Sequence, residues 1–174
     1  MTKQEAELSP QEVLRLINME KICVGDHIHS TGERAFTIDI TSENGRESFQ
    51  LDYHRGNIEL KYTMQTRYKV AYNLLRFDIG SSKRHTNPTE EITLDPSDPF
   101  YGVHEKCIGR VFETKEPHVH IYREGFADKW AYPPETMFSD MRNVSSTFNE
   151  FMDMCNITKR PYIYNGMETY ESDG

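Results

Sequence analysis

A chain of 174 residues with 10 Tyr, 9 Phe and one Trp is long enough to bury an aromatic core without disulfides or a structural metal. The net charge of −8 and the pI of about 5.4 argue against a general nucleic-acid binder, whose affinity comes from a basic surface. Three widely spaced cysteines with no Cys-x-x-Cys pair fit a reducing compartment, and no stretch is apolar enough to span a membrane. We therefore expect a cytoplasmic domain that makes no membrane contact.

The N-terminal part of the chain predicts a frayed segment followed by a short helix. Residues 1–8 are mostly polar. Ser9 can cap a helix, Pro10 fits its first turn, and Glu12 completes a capping box. The helix is expected to end near residues 19–21.

Alternation of apolar and polar residues begins at Arg34 and predicts an antiparallel meander of four strands. The turns between the first three strands are Asn44-Gly45 and Arg55-Gly56-Asn57. In the fourth strand the apolar phase shifts at Leu74 and Leu75, which predicts either a β-bulge or a strand covered on both faces. The apolar positions of the four strands are Phe36, Ile38 and Ile40; Phe49, Leu51 and Tyr53; Ile58, Leu60 and Tyr62; and a longer run over 68–79.

The second half of the chain predicts a long loop, a hairpin and a second helix. Residues 80–117 hold four of the eight prolines and one short strand near 108–112, so this segment is expected to be a long loop that is functional or mobile. Residues 118–122 form a strand that pairs with 129–132. The helix lies within 140–155, and the acidic tail over 167–174 is expected to be disordered. Together the elements predict a single α+β domain over 1–166, in which an antiparallel β-meander sheet is packed by an N-terminal and a C-terminal helix.

The strand with the sequence His-Val-His-Ile-Tyr is the most specific chemical feature. His118, His120 and Tyr122 point to one face, and Val119 and Ile121 point to the core. The histidine Cα atoms are about 6–7 Å apart, so both imidazoles can reach one metal ion or phosphate, or act as acid and base. The same face can equally be an ordinary sheet surface. Because no third ligand occurs at a familiar spacing, neither a metal nor another cofactor is predicted.

A second candidate segment is Arg84-His85-Thr86-Asn87-Pro88. It is either a tight loop anchored by Asn87 or a loop that places His85 over the histidine strand, where Arg84 or Arg123 would bind an anion. The candidate catalytic residues are then His118, His120 and His85. The candidate binding residues are Arg84, Asn87, Tyr122, Arg123, Glu124 and Trp130, of which Trp130 is either a core residue or a stacking wall and Glu124 could orient a histidine. The other histidines, His27, His29, His54 and His104, are expected in loops.

Taken together, Arg84–Pro88, the run Glu116–Gly125 and Lys129–Pro133 resemble a group of small bacterial proteins of unknown function that occur on mobile elements and in prophage-like neighbourhoods. The similar region extends over about residues 34–156. The short Pro-His-x-His strand also resembles small toxin–antitoxin-associated domains. This chain departs from the group pattern after Pro88, where Thr89-Glu90-Glu91 stands in place of a nearby glycine. The resemblance implies a bacterial or phage origin and a setting of conflict or defence, and it implies no particular activity.

Three hypotheses for the function follow. The first is macromolecular binding as an antitoxin-like or anti-defence inhibitor, with a protein as the partner, since the chain is acidic and lacks nucleotide-binding loops and a serine nucleophile motif. The second is a histidine-dependent enzyme of toxin type that acts on RNA or another phosphodiester, in which case a nucleic acid would be bound. The third is a metal-binding domain.

Overall fold

The computed structural model describes residues 6–57 and 60–166, and it has an α+β fold. The helices are α1 (Pro10–Asn18), α2 (His104–Cys107) and α3 (Val144–Met154). Among the described residues, no helix combines the length and apolar character that crossing a bilayer requires. The strands are β1 (Lys21–Cys23), β2 (Ile28–Ser30), β3 (Ala35–Ser42), β4 (Ser48–Arg55), β5 (Tyr62–Tyr68), β6 (Tyr72–Ile79), β7 (His85–Thr86), β8 (Val111–Phe112), β9 (His118–Arg123), β10 (Ala127–Tyr132), β11 (Ile157–Lys159) and β12 (Tyr162–Tyr164).

Eight strands form one sheet in the order β10-β9-β6-β5-β4-β3-β1-β11. All neighbours in this sheet are antiparallel except β1 and β11, which are parallel. Two short pairs lie outside the sheet, a parallel β2–β12 pair and an antiparallel β7–β8 pair. The predicted α+β class with antiparallel strands is therefore confirmed.

The hairpin turns explain where the strand predictions hold and where they fail. Gly45 adopts a φ of 72° between β3 and β4, as the Asn-Gly signal predicted. The single strand predicted over 68–79 is wrong, because Lys69 and Val70 have φ values of 49° and 63° and turn the chain between β5 and β6. Neither residue type signals the left-handed conformation that such a turn requires. Leu60, predicted to lie in a strand, precedes β5 with a φ of 54°, and Ile58 lies outside the described residues.

The phase shift in β6 is a β-bulge. Thr66 pairs with Leu75 while Arg67 pairs with Asn73, so Leu74 is the extra residue. Both leucines are buried, which accounts for the change of apolar phase in the sequence.

One face of the sheet forms the core. Ile38, Leu51, Leu75 and Ile121 lie on this face of β3, β4, β6 and β9, and each is at most 1% exposed. Helices α1 and α3 contribute buried residues to the same cluster. The predicted cap of α1 is present, since the Glu12 amide donates to Ser9 Oγ at 3.2 Å. Of the segment predicted to be frayed, 1–5 lies outside the described residues and Leu8 is buried in the core.

The segment over 80–117, predicted as a loop with one strand, holds β7, α2 and β8 and is docked on the sheet by Asn87. The Asn87 side chain is 2% exposed and makes the hydrogen bonds that a neighbouring strand would make to the outer edge of β10. Its Nδ2 donates to the carbonyls of Ala131 and Cys107, both at 2.8 Å, and its Oδ1 accepts from the Ala131 amide at 2.9 Å. We call residues 80–117 the arm. Asn87 therefore fixes the position of His85 relative to the sheet.

A buried lysine joins the ends of α1 and α3. Lys21 is 1% exposed, and its Nζ donates to the carbonyls of Ile17, Met19 and Cys155 at 2.7–2.9 Å. These carbonyls lie at helix ends, where no amide of the following helical turn donates a hydrogen bond to them. Burial lowers the pKa of Lys21 to about 8, so the amine is charged at neutral pH and satisfies all three acceptors.

We expect Lys21→Met to lower the free energy of unfolding by about 2 kcal/mol, because three buried carbonyls lose their donor. Urea unfolding followed by circular dichroism measures this. Lys159→Met is the matched control, since that side chain is 54% exposed, and it should change stability by less than about 0.5 kcal/mol. Equal effects of the two substitutions would contradict the proposed role of Lys21.

We expect Asn87→Ala to lower the free energy of unfolding by about 3 kcal/mol, since it leaves the Ala131 and Cys107 backbone groups unpaired in the interior. The same urea experiment measures it. Asn149→Ala is the control, because Asn149 is on the surface and donates only to a carbonyl of its own helix. If Asn87→Ala were as mild as the control, the arm would be held by other contacts.

Candidate functional site

The structure brings the three candidate catalytic histidines together. The ring centroids of His118 and His120 are 4.8 Å apart, and the His85 ring lies 4.6 Å from His120 and 5.7 Å from His118. His118 and His120 project from the face of β9 opposite to Val119 and Ile121, as the alternation predicted. His85 reaches them from the arm, which matches the alternative in which Arg84–Pro88 places His85 over the histidine strand.

A fourth residue, Asp78, completes the cluster, and the sequence reasoning missed it. Strand β6 pairs with β9 in a register that sets Asp78 opposite His118 and Arg76 opposite His120. The Asp78 Oδ2 atom lies 3.5 Å from Nε2 of His120 and 3.9 Å from Nε2 of His118. One ligand atom of each of Asp78, His118 and His120 lies within 4.8 Å of the other two. Among the described residues, this is the one group with such a spacing.

The histidine rings are fixed by backbone carbonyls. His118 Nδ1 lies 2.8 Å from the Glu116 carbonyl, and His120 Nδ1 lies 2.8 Å from the Asp128 carbonyl. A carbonyl only accepts, so each Nδ1 carries the hydrogen and donates it. In a neutral imidazole the other nitrogen, Nε2, is then an unprotonated acceptor. Both acceptors face the Asp78 carboxylate.

Asp78 is itself held in place from two sides. The Thr63 hydroxyl donates to Oδ1 at 2.7 Å, and Arg76 Nε donates to Oδ2 at 2.9 Å. Arg76 also donates to the Asp128 carboxylate, so one positive charge is shared by two negative charges. The local charge of these three side chains is −1.

Burial controls protonation in the cluster. His118 and His120 are each 2% exposed. Burial lowers the pKa of both imidazoles, that of His120 to about 4, although the negative charge of Asp78 acts to raise both values. Burial would raise the pKa of Asp78, but the charge of Arg76 and the hydrogen bond from the Thr63 hydroxyl lower it well below its usual range. At neutral pH His118 and His120 are therefore neutral imidazoles and Asp78 is a carboxylate.

The arm covers the cluster. His85 is half-buried, its ring stacks on that of His118 at an interplanar angle of 15°, and its Nε2 bonds to Oδ1 of Asn87 at 3.0 Å. The Phe112 ring packs on His118 from β8. His85 is thus positioned by the same Asn87 that docks the arm.

The remaining candidate residues lie elsewhere. Both arginines proposed as an anion clamp are ion-paired: Arg84 is exposed and paired with Glu113, and Arg123 is buried against Asp98 and Tyr132. Trp130 is fully buried beside Ile121 in register, so it is a core residue and not a wall of the site. Tyr122 contacts Tyr72 and the Leu8 amide, and Glu124 is exposed. His104 lies buried in α2 against Trp130 and Tyr132.

Two imidazole nitrogens and one carboxylate oxygen are donors that suit zinc, iron, manganese, cobalt or nickel. The expectation of no metal ligand set rested on the absence of a third ligand nearby in the sequence. The structure supplies one from the adjacent strand, 40 residues before His118.

Comparisons with known proteins give a family and no activity. No curated protein matches the chain, and no solved structure matches it. The mobile-element and toxin–antitoxin setting suggested by the resemblance stays a prediction. The model of DUF6978, a family of unknown function, matches residues 8–157. This match covers most of the 174 residues, and the chain therefore belongs to the DUF6978 family.

Proposed function

We propose that the protein is a metal-binding protein, and that Asp78, His118 and His120 hold a divalent first-row transition metal ion. The observation that carries the proposal is the convergence of three ligand atoms that have no hydrogen between them. Nδ1 of each histidine donates its hydrogen to a backbone carbonyl, so each Nε2 carries a lone pair beside the Asp78 carboxylate oxygen. These lone pairs and the carboxylate oxygen repel one another, and a cation between the three atoms turns the repulsion into attraction.

The surroundings of the histidines support the proposal. A metal-bound histidine almost always donates its other ring N–H to a carboxylate, a carbonyl or a water, which fixes the tautomer and the ring orientation. His118 and His120 both have this arrangement. Asp78 is likewise oriented by Thr63 and Arg76, so the ligand positions are set before an ion binds.

Three protein ligands leave further coordination positions for water or a small molecule, which is typical of sites that take part in chemistry. An ion bound here would supply a Lewis acid and a water of lowered pKa. The ring of His85 covers the cluster and lies close enough to His120 to contact an additional ligand. A metal-free phosphodiesterase is less well supported, since Arg84 and Arg123 are both already paired with a carboxylate. Inhibition of a macromolecular partner in a conflict or defence setting stays a prediction.

We expect protein purified without a polyhistidine tag or chelator to contain close to one equivalent of a transition metal by elemental analysis. Asp78→Asn and His120→Gln should each lower metal affinity by more than about 100-fold, because even outer-shell partners contribute roughly 10- to 100-fold. For the wild type, metal at about 100 times its Kd should raise the free energy of unfolding by about 2.7 kcal/mol.

His54→Gln is the matched control, since His54 is exposed on β4, outside the cluster, and it should keep wild-type metal content. Circular dichroism establishes that each variant is folded. The proposal is wrong if apo protein titrated with Mn²⁺, Fe²⁺, Co²⁺, Ni²⁺ and Zn²⁺ shows no stabilisation, or if Asp78→Asn and His54→Gln bind metal equally well.

A further inference from the structure

A cavity of about 770 Å³ lies on the opposite face of the sheet from the histidine cluster. It is bounded by β4, β5, the turn after β2 and the start of α3. Tyr53 and Tyr62, which project from the core face of the sheet, form part of its wall. The volume is within the range of sites for small organic ligands.

Three cationic side chains line this cavity, although the protein as a whole carries a net charge of −8. They are Arg55, Lys61 and Arg142. Within the described ranges 6–57 and 60–166, none of the three forms an ion pair with a carboxylate at 4 Å or less. Most arginines of this chain, by contrast, are ion-paired. Among the described residues of the lining, Asp140 is the single acidic side chain, so these residues together carry a net charge of +2.

Two of the cations are held in position. Arg55 Nη1 donates to the Gly32 carbonyl at 3.2 Å, which leaves the other donors of its guanidinium for a ligand. The stem of Lys61 lies flat on Gly56, where an added Cβ would be 2.5 Å from Lys61 Cδ. The glycine therefore lets the lysine stem follow the backbone toward the cavity.

The neutral part of the lining combines two fixed tyrosine rings with apolar and polar side chains. The hydroxyls of Tyr53 and Tyr62 donate to the carbonyls of Thr31 and Met141, each at 2.7 Å, which locks both rings in place. The Thr31 hydroxyl and the Asn143 Nδ2 group supply further donors, whereas the Asn165 side chain is bonded to the Ser145 amide and to Asn143 Oδ1. Such groups suit the hydroxyls of a sugar, whereas the three cations suit an anion.

From this lining we propose that the cavity binds a small organic phosphate of about the size of a mononucleotide. Arg55 and Arg142 can each donate two hydrogen bonds to phosphate oxygens, and Lys61 adds a third positive charge. The proposal is independent of the metal site, because it uses no residue of the histidine cluster.

The test is a titration with a fluorescent AMP analogue, followed by competition with AMP, adenosine and inorganic phosphate. We expect AMP to bind at least roughly tenfold more tightly than adenosine, since adenosine lacks the phosphate. Arg55→Gln, Lys61→Gln and Arg142→Gln should each weaken AMP binding roughly tenfold or more. Arg46→Gln, on the β3–β4 turn and outside the lining, is the control and should leave binding unchanged.

Gly56→Ala provides a second variant that keeps every charge. It should weaken AMP binding, because the added methyl group displaces the Lys61 stem. The proposal is overturned if AMP does not bind at concentrations of about 10 mM, or if the Arg46 and Arg142 substitutions have equal effects. Tight binding of a short single-stranded RNA without binding of AMP would also overturn it, since the site would then recognise a polymer.

Discussion

The pairing of β6 with β9 holds both the sheet and the candidate site together. It joins the meander β3–β6 to the C-terminal hairpin β9–β10 across the whole of the arm. On one face this register aligns Leu75 with Ile121 and continues the core. On the other face the same register aligns Asp78 with His118. The apolar contacts thus set the stability of the pairing, and the pairing in turn creates the polar cluster, because the two faces of a strand cannot shift independently.

Docking of the arm on β10 is the second constraint on the position of the histidines. Asn87 satisfies the exposed edge of β10 and at the same time holds His85 against the cluster. An edge strand left open would present unpaired backbone groups to other chains, so the docking serves the fold as well as the site. The histidines are consequently buried, and their neutral form is favoured over the charged form. Neutral imidazoles beside a carboxylate are the protonation states that a metal ion requires of its ligands.

Local sequence patterns correctly predicted the features that depend only on residues close together in the chain. The capped helix at Ser9, the Asn44-Gly45 hairpin and the faces of β9 all follow from spacing alone. The turn at Lys69 and Val70 was missed, since its left-handed backbone is imposed by the pairing of β5 with β6 and not by residue type. The third candidate ligand was missed for a related reason. Asp78 occupies an ordinary polar position of a strand, and only the long-range pairing across the arm sets it beside His118. Short strands such as β1 and β11 likewise have too few residues to show the alternation of apolar and polar side chains that marks a strand.

The cluster and the cavity lie on opposite faces of one sheet, so metal binding and phosphate binding can be separated experimentally. The metal site is tested by a crystal structure with anomalous diffraction data collected at the absorption edge of the bound metal. We expect an anomalous peak about 2.0–2.2 Å from Nε2 of His118, Nε2 of His120 and a carboxylate oxygen of Asp78. Absence of that peak in crystals soaked with Zn²⁺ would contradict the proposed metal site.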